Sequence, residues 1–248
     1  MSEGREAAFR AVDEGDVEAL TTLLRTDPSL VSARGEGGVT LLHLAAERDE
    51  SGAARVLIEH GAELDARSSW GQTPLEWAAN LGSESVADVL LTHGARGAPL
   101  WTAAALGRLD DVRSSFDDRS VRPDVGRTPM PDADLSGWPE DTAFRTGDVV
   151  SDAFHIACRR GHLDVARFLL DRGADVNAAG YFGASAIHWA AMEGQADVVH
   201  WLVDSGARTD ERDPRFDATP AGWAREAGED ALADYLDDGS TTPGGGAP

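Results

Sequence analysis

The feature that most limits what this chain can fold into is a sequence that returns on itself at a fixed period of about 33 residues. Thr40 opens "TLLHLAAERDESGAARVLIEHGAELDA", and Thr73, one period on, opens "TPLEWAANLGSESVADVLLTHGA". Asp152 opens "DAFHIACRRGHLDVARFLLDRGADVNA", and Ser185, again one period on, opens "SAIHWAAMEGQADVVHWLVDSGA". Weaker copies begin at Glu6, Ala98 and Thr219, which makes seven units. A fixed period of this length signals stacked supersecondary units, each unable to bury its apolar faces without a neighbour.

Each recurring letter has a mechanical reason. Thr73 and Thr219 are placed to cap a helix whose first turn accepts Pro74 and Pro220, where a missing amide hydrogen costs nothing. Leu at the third place and paired alanines at the sixth and seventh (Ala45 and Ala46, Ala78 and Ala79, Ala190 and Ala191) give a slim apolar face for a close neighbour. Gly at the tenth place (Gly82, Gly107, Gly161, Gly194, Gly228) predicts a left-handed helix end. A second apolar stripe follows, such as Val165, Phe168, Leu169 and Leu170; a second glycine (Gly61, Gly94, Gly173, Gly206) then stops that helix and leads into a turn. Across about three quarters of the chain this pattern strongly resembles the ankyrin repeat, T-P-L-H-x-A-A…G…G-A-D-V-N-A, in the units at Thr40, Thr73, Asp152 and Ser185. The resemblance implies an all-α solenoid of helix-turn-helix units with projecting turns and a concave binding face, in an ankyrin repeat protein of bacterial or archaeal type.

The departures are informative. Leu41 and Ala153 stand in the proline place, Glu76 and Trp101 in the histidine place, and Asp49 in that of the first glycine. Ala98 follows Thr73 by less than one period, a clipped turn, whereas Asp152 follows Ala98 by more than one and a half periods. The excess lies in 117–151, where Pro123, Pro129, Pro131 and Pro139 forbid a regular helix. The expected organisation is an N-terminal stack of four units at 1–116, a Pro-rich non-repeat insertion at 117–151, a C-terminal stack of three units at 152–238, and a flexible Gly-rich tail at 239–248. The insertion reads either as a loop packed over the stack through Trp138 and Phe144, or as a solvated spacer between two sub-stacks.

Charge narrows the function. There are 44 Asp and Glu against 22 basic residues, a formal −22, and every basic residue is Arg. Without lysine there is no phosphate-loop GK[ST], no Schiff-base lysine and no Ser-Lys dyad. So acidic a surface repels phosphate backbones, so no nucleic-acid partner is expected. No apolar run approaches the roughly 18 residues of a membrane span, "MSEGREAAFR" lacks a signal-peptide core, and one cysteine suits a reducing cytoplasm. A monomer is expected. Arg in place of Lys beside so many acids fits a high-salt cytoplasm or GC-rich coding; a thermal stability unchanged between low and molar salt would count against the former.

Cys158, the lone cysteine, has His155 one helical turn before it, the spacing of a thiolate-imidazole pair. Register explains both differently. Cys158 occupies the second alanine place, and His155 the histidine place it shares with His43 and His188, where the family uses the imidazole to bond backbone between repeats. His60, His93 and His162 also fall at fixed places beside the glycines, which leaves only His200 variable. No catalytic residue, metal site or cofactor is therefore expected.

The aromatic residues are more suggestive. The fifth place carries Trp77, Trp189 and Trp223, and the turns before those helices carry Trp70, Tyr181, Phe182 and Phe216. Trp101 and Trp201 read as core. In the ankyrin family the turns and exposed first-helix positions line the concave face, so the seven would face one groove, unless fifth-place side chains pack between repeats. The eighth and ninth places add Glu47, Arg48, Asn80, Leu81, Arg159, Arg160, Met192 and Glu193, among which Arg159 and Arg160 form a basic pair. They are placed to grip a partner's carboxylate or to balance nearby acids. The expected function is a non-enzymatic module that captures an unidentified protein through this aromatic and charged face. The alternative is an enzyme or small-molecule binder with a pocket at the insertion, using Asp134, Trp138, Asp141 and Asp148.

Overall fold

A computed structural model describes residues 3–97, 99–118, 120–122, 125, 148–180 and 183–239. Most of the insertion and the Gly-rich tail lie outside them. Among the described residues there are fourteen α-helices: α1 Glu3–Asp13, α2 Val17–Thr26, α3 Leu41–Arg48, α4 Ser51–Glu59, α5 Pro74–Leu81, α6 Glu84–Thr92, α7 Pro99–Ala105, α8 Leu109–Ser114, α9 Val149–Arg159, α10 Leu163–Leu170, α11 Ala186–Met192, α12 Ala196–Asp204, α13 Pro220–Glu226 and α14 Asp230–Gly239. The helices are mostly too short to be stable alone, so packing must hold them.

The chain divides into two compact units, with the described residues up to Thr102 in the first and those from Ala103 on in the second. In the first unit, α1, α3 and α5 pack side by side as one layer, and α2, α4 and α6 as another. Leu20, Leu24, Leu41, Leu42, Leu57, Leu75 and Leu90 are fully buried, while Ala45, Ala46, Ala78 and Ala79, at zero exposure, let the helices approach closely. In the second unit α11 packs between α9 and α13, over a core that includes Phe154, Leu169, Ile187 and Leu202. Burying one such side chain contributes about 1.5–3 kcal/mol.

The helix signals read from the sequence are realised locally. The Thr73 hydroxyl accepts from Glu76 N and Pro74 occupies the first turn; Thr219 accepts from Gly222 N at 3.2 Å, ahead of Pro220. Gly82 ends α5 at φ 77°. Asp49, standing in the glycine place, adopts the same left-handed region at φ 54°, which Asp tolerates better than most residues. Its carboxylate accepts from Val86 N at 3.0 Å, in the first turn of α6. That bond caps the next unit's second helix, so the substitution supplies a contact that glycine could not make.

Three features differ from expectation. α9 begins at Val149 instead of after Asp152, because Asp148 caps it by accepting from Val150 N and Ser151 N, both at 2.8 Å. Phe116–Asp117 and Ser120–Val121 form a small antiparallel hairpin, β1 and β2, within an otherwise helical fold. The division between compact units falls inside α7, earlier than residue 116. The second unit shows why: α8 packs on α10, Phe116 meets Phe168 edge-on at 5.5 Å, and the Arg172 guanidinium lies 4.2 Å from the Phe168 centroid. His162 Nε2 also bonds Ala105 O at 3.0 Å. The elements on either side of the insertion, α8 and α10, therefore touch directly.

Candidate functional site

The repeat histidines stitch turns to helices. His43 Nδ1 accepts from the Thr40 hydroxyl at 2.8 Å and Thr40 N at 3.2 Å, which leaves Nε2–H to donate to Gln72 O, 29 residues away, at 3.0 Å. His188 repeats this with Ser185 and donates to Glu211 O at 3.1 Å; His155 donates to Ala178 O at 2.8 Å. Desolvation lowers the pKa of all three, that of His188 to about 4, so each is a neutral imidazole with a fixed tautomer. Gly180 lies so close to His155 that a Cβ there would come within 2.6 Å of the ring. Glu76 takes over half of the role: its carboxylate accepts from Thr73 N at 2.9 Å, and Arg67 lies 3.7 Å away to balance the buried charge.

Cys158 is fully buried, and burial pushes its thiol pKa well up, so a reactive thiolate is disfavoured. With His155 Nε2 engaged by Ala178, the two do not form a nucleophile and base. No group of three or more His, Cys, Asp or Glu among the described residues could hold a metal ion. Asp148, one of the four residues suggested for an insertion pocket, is a helix cap; Asp134, Trp138 and Asp141 lie outside the described residues.

The predicted binding residues separate by environment. In the first unit Trp70, Trp77 and Asn80 are half-buried, and Leu81 is 41% exposed. Trp70 lies over Gly37 and 5.3 Å from Trp77, which in turn meets His43 edge-on at 5.4 Å. In the second unit Met192 and Phe216 are 46% and 59% exposed, whereas Trp189 and Trp223 are buried and pack against each other at 5.0 Å. Tyr181 and Phe182 lie outside the described residues. The expectation of seven aromatics facing one groove is corrected at Trp189 and Trp223: as buried rings they fill the space between neighbouring repeats. Trp101, as read, is buried, and Trp201 is half-buried against Phe154.

Arg159 and Arg160 are half-buried. Arg159 lies 4.7 Å from the Trp189 centroid and bonds Glu193 at 2.9 Å, so it balances an acid of the next unit. Arg48 pairs instead with an acid of the preceding unit, Asp13, at 2.6 Å.

Asp213 was not singled out from the sequence. It is 1% exposed and accepts four bonds: Arg215 N at 2.8 Å, Phe216 N at 2.7 Å, Ala218 N at 3.1 Å and Trp223 Nε1 at 2.8 Å. Desolvation pulls its pKa up, but these donors outweigh it, and the net shift is downward. The signal was present in Asp213-Pro214, a pair that favours turn initiation.

Paired helices packed in layers, with histidines bonding the turn of the next unit, define a helical repeat protein. The family model "Ankyrin repeats (3 copies)" matches residues 8–99 and 143–213, well over half of the chain, and the protein belongs to that family. Among solved structures, the ankyrin repeat domain of human ASB11 is similar at 22% identity and a TM-score of 0.48, with all of both chains covered. No curated protein matches. Ankyrin repeats are generally protein–protein interaction modules. No helix among the described residues is long and apolar enough to cross a membrane.

Proposed function

We propose that the chain is a non-enzymatic cytoplasmic interaction module that captures a protein through the turn and first-helix face of its repeats. Seven units and a monomeric state belong to the same reading. One observation carries it. The large apolar side chains left exposed among the described residues are Leu81, Met192 and Phe216, and all three fall at the eighth or ninth place or in a turn, whereas the bulk of the large apolar side chains is wholly or partly buried. Scattered exposed apolar residues need no explanation, but exposure confined to the eighth and ninth places and a turn supports a recognition face.

Affinity capture with crosslinking in lysate of the source organism tests this. Leu81→Glu, Met192→Glu and Phe216→Glu together are expected to remove the captured protein while far-ultraviolet circular dichroism stays unchanged. Undiminished capture by the folded triple variant would move the interface elsewhere. Trp77→Ala with Trp189→Ala is a poorer probe, since losing buried Trp189 also destabilises the stack.

A further inference from the structure

Consecutive repeats interlock in a recurrent way. Glu50, His162, Gln195 and Glu229, each directly after the residue that ends its repeat's first helix, lie so close to Gly15, Gly107, Gly161 and Gly194 of the repeat before that no Cβ would fit there. A Cβ on Gly52 would likewise meet Val17 Cγ2 at 3.0 Å. In the second repeat, against which α1 and α2 pack, Leu41, Ala45, Ala53 and Leu57 are at zero exposure. Their counterparts in the first repeat, Ala7, Ala11, Ala19 and Leu23, instead line a groove of about 590 Å³ between α1 and α2, where all but Ala11 are only half-buried. Ala7 and Ala11 are one helical turn apart, as are Ala19 and Leu23, so the groove runs along both helices. Around the turn that joins α1 to α2 its wall carries Glu14, Asp16 and Glu18, against Arg10 as the one guanidinium of the lining. Asp16, the counterpart of Glu50, accepts from Ala19 N at 2.8 Å; Glu14 and Glu18 are exposed and have no ion pair among the described residues.

We propose that this groove seats a basic amphipathic helix of a partner protein, with its small apolar face on Ala7, Ala11, Ala19 and Leu23 and its Arg or Lys side chains against Glu14 and Glu18. The proposal stands independently of the face marked by Leu81, Met192 and Phe216 and adds a second binding surface. A helix is the element that fits, because α1 and α2 themselves fill the equivalent space over α3 and α4, and alanines let a helix lie close. Charge complementarity selects a basic one. Three carboxylates against one guanidinium, on a chain of formal charge −22, attract a basic segment and repel an acidic one. The same charges oppose a second copy of the chain. Stacked end to end, it would bring up α14, which carries Asp230, Asp234, Asp237 and Asp238 and no cation, and groove to groove it would set like carboxylates against each other.

The test is a library of helix-forming peptides displayed on phage, selected against the full chain, with affinities of synthesised peptides read by fluorescence anisotropy. Selected peptides are expected to carry a stripe of Ala and Leu at helical spacing, flanked by Arg or Lys. Ala7→Gln with Ala19→Gln fills the groove without changing its charge and is expected to weaken them by about tenfold. Gln is a good helix former and both places are half-buried, so an unchanged melting temperature checks the fold. Glu14→Arg with Glu18→Arg, both exposed, is the second probe, with a loss of about tenfold expected and a weaker dependence on salt. Acidic or uncharged peptides, or no enrichment at all, would overturn the proposal. Basic peptides indifferent to Ala7→Gln with Ala19→Gln would also overturn it, since they would answer to the acidic chain as a whole. Self-association in sedimentation that this double variant abolishes would give the groove to a second copy and overturn it too. Binding lost in the variant with Leu81→Glu, Met192→Glu and Phe216→Glu but kept in the double variant would overturn it while supporting the interaction-module reading.

Discussion

Trp77 and Trp223 occupy the same place of their repeats, and each meets the histidine of the preceding unit edge-on, His43 at 5.4 Å and His188 at 5.5 Å. Yet Trp77 is half-buried and Trp223 is 5% exposed. The difference lies in the turn that each indole meets. Before Trp77 the turn offers Trp70, a second apolar ring, with Glu76 paired to Arg67 nearby. Before Trp223 it offers the Asp213 carboxylate, which bonds the indole N–H and folds the turn over the ring. A repeat place therefore fixes where a side chain starts, and its neighbour's turn fixes whether it becomes core or surface.

Truncating both indoles is the strongest way to break that contrast. Trp223→Ala is expected to cost about 3–5 kcal/mol in urea unfolding, through the cavity and the stranded carboxylate, against roughly 1–2 kcal/mol for Trp77→Ala. Equal losses would mean that the burial difference has no energetic weight. Acid probes the histidine side of each corner. A histidine with a lowered folded pKa stabilises fully above its unfolded value near 6.5 and loses that stability as pH falls through the folded value. For His188, with a folded value of about 4, roughly 3 kcal/mol is expected to disappear between pH 7.5 and 4, and His43 and His155 shift in the same direction. A urea midpoint flat across that range would count against neutral, structural histidines.

Asp213→Ala isolates the second corner's turn. It leaves three backbone donors and an indole without their acceptor, a loss of about 2–3 kcal/mol confined to the second unit. Because the folded pKa of Asp213 is lowered, its share is present above the usual carboxylate range and fades as pH drops through the folded value. Smallest of all, Phe216→Ala should change stability by less than about 0.5 kcal/mol, since the ring is mostly in solvent. A larger loss would place Phe216 in the core beside Trp223.

Much of the fold was legible. Thr73, Pro74 and Gly82 act through their own backbone and nearest turns, so caps, helix starts and stops could be read from spacing. The backbone bonds of His43 and His188 are what the resemblance to the ankyrin repeat implied. Of the candidate site residues, the exposure of Leu81, Met192 and Phe216 follows from their places at the end of a first helix or in a turn, while Trp189, Trp223 and Arg159 acquired partners that spacing does not announce.

The sequence by itself determined the period and the succession of helix pairs, both of which depend on interactions within a residue's own turn or one repeat away. Only the tertiary structure decided that Asp49 caps a helix in the following unit, that α8 packs directly on α10, and that Asp213 draws one indole inward while Phe216 stays out. Those outcomes depend on which side chains a neighbouring repeat happens to present. A constant period fixes the position of that neighbour and leaves its chemistry free to vary.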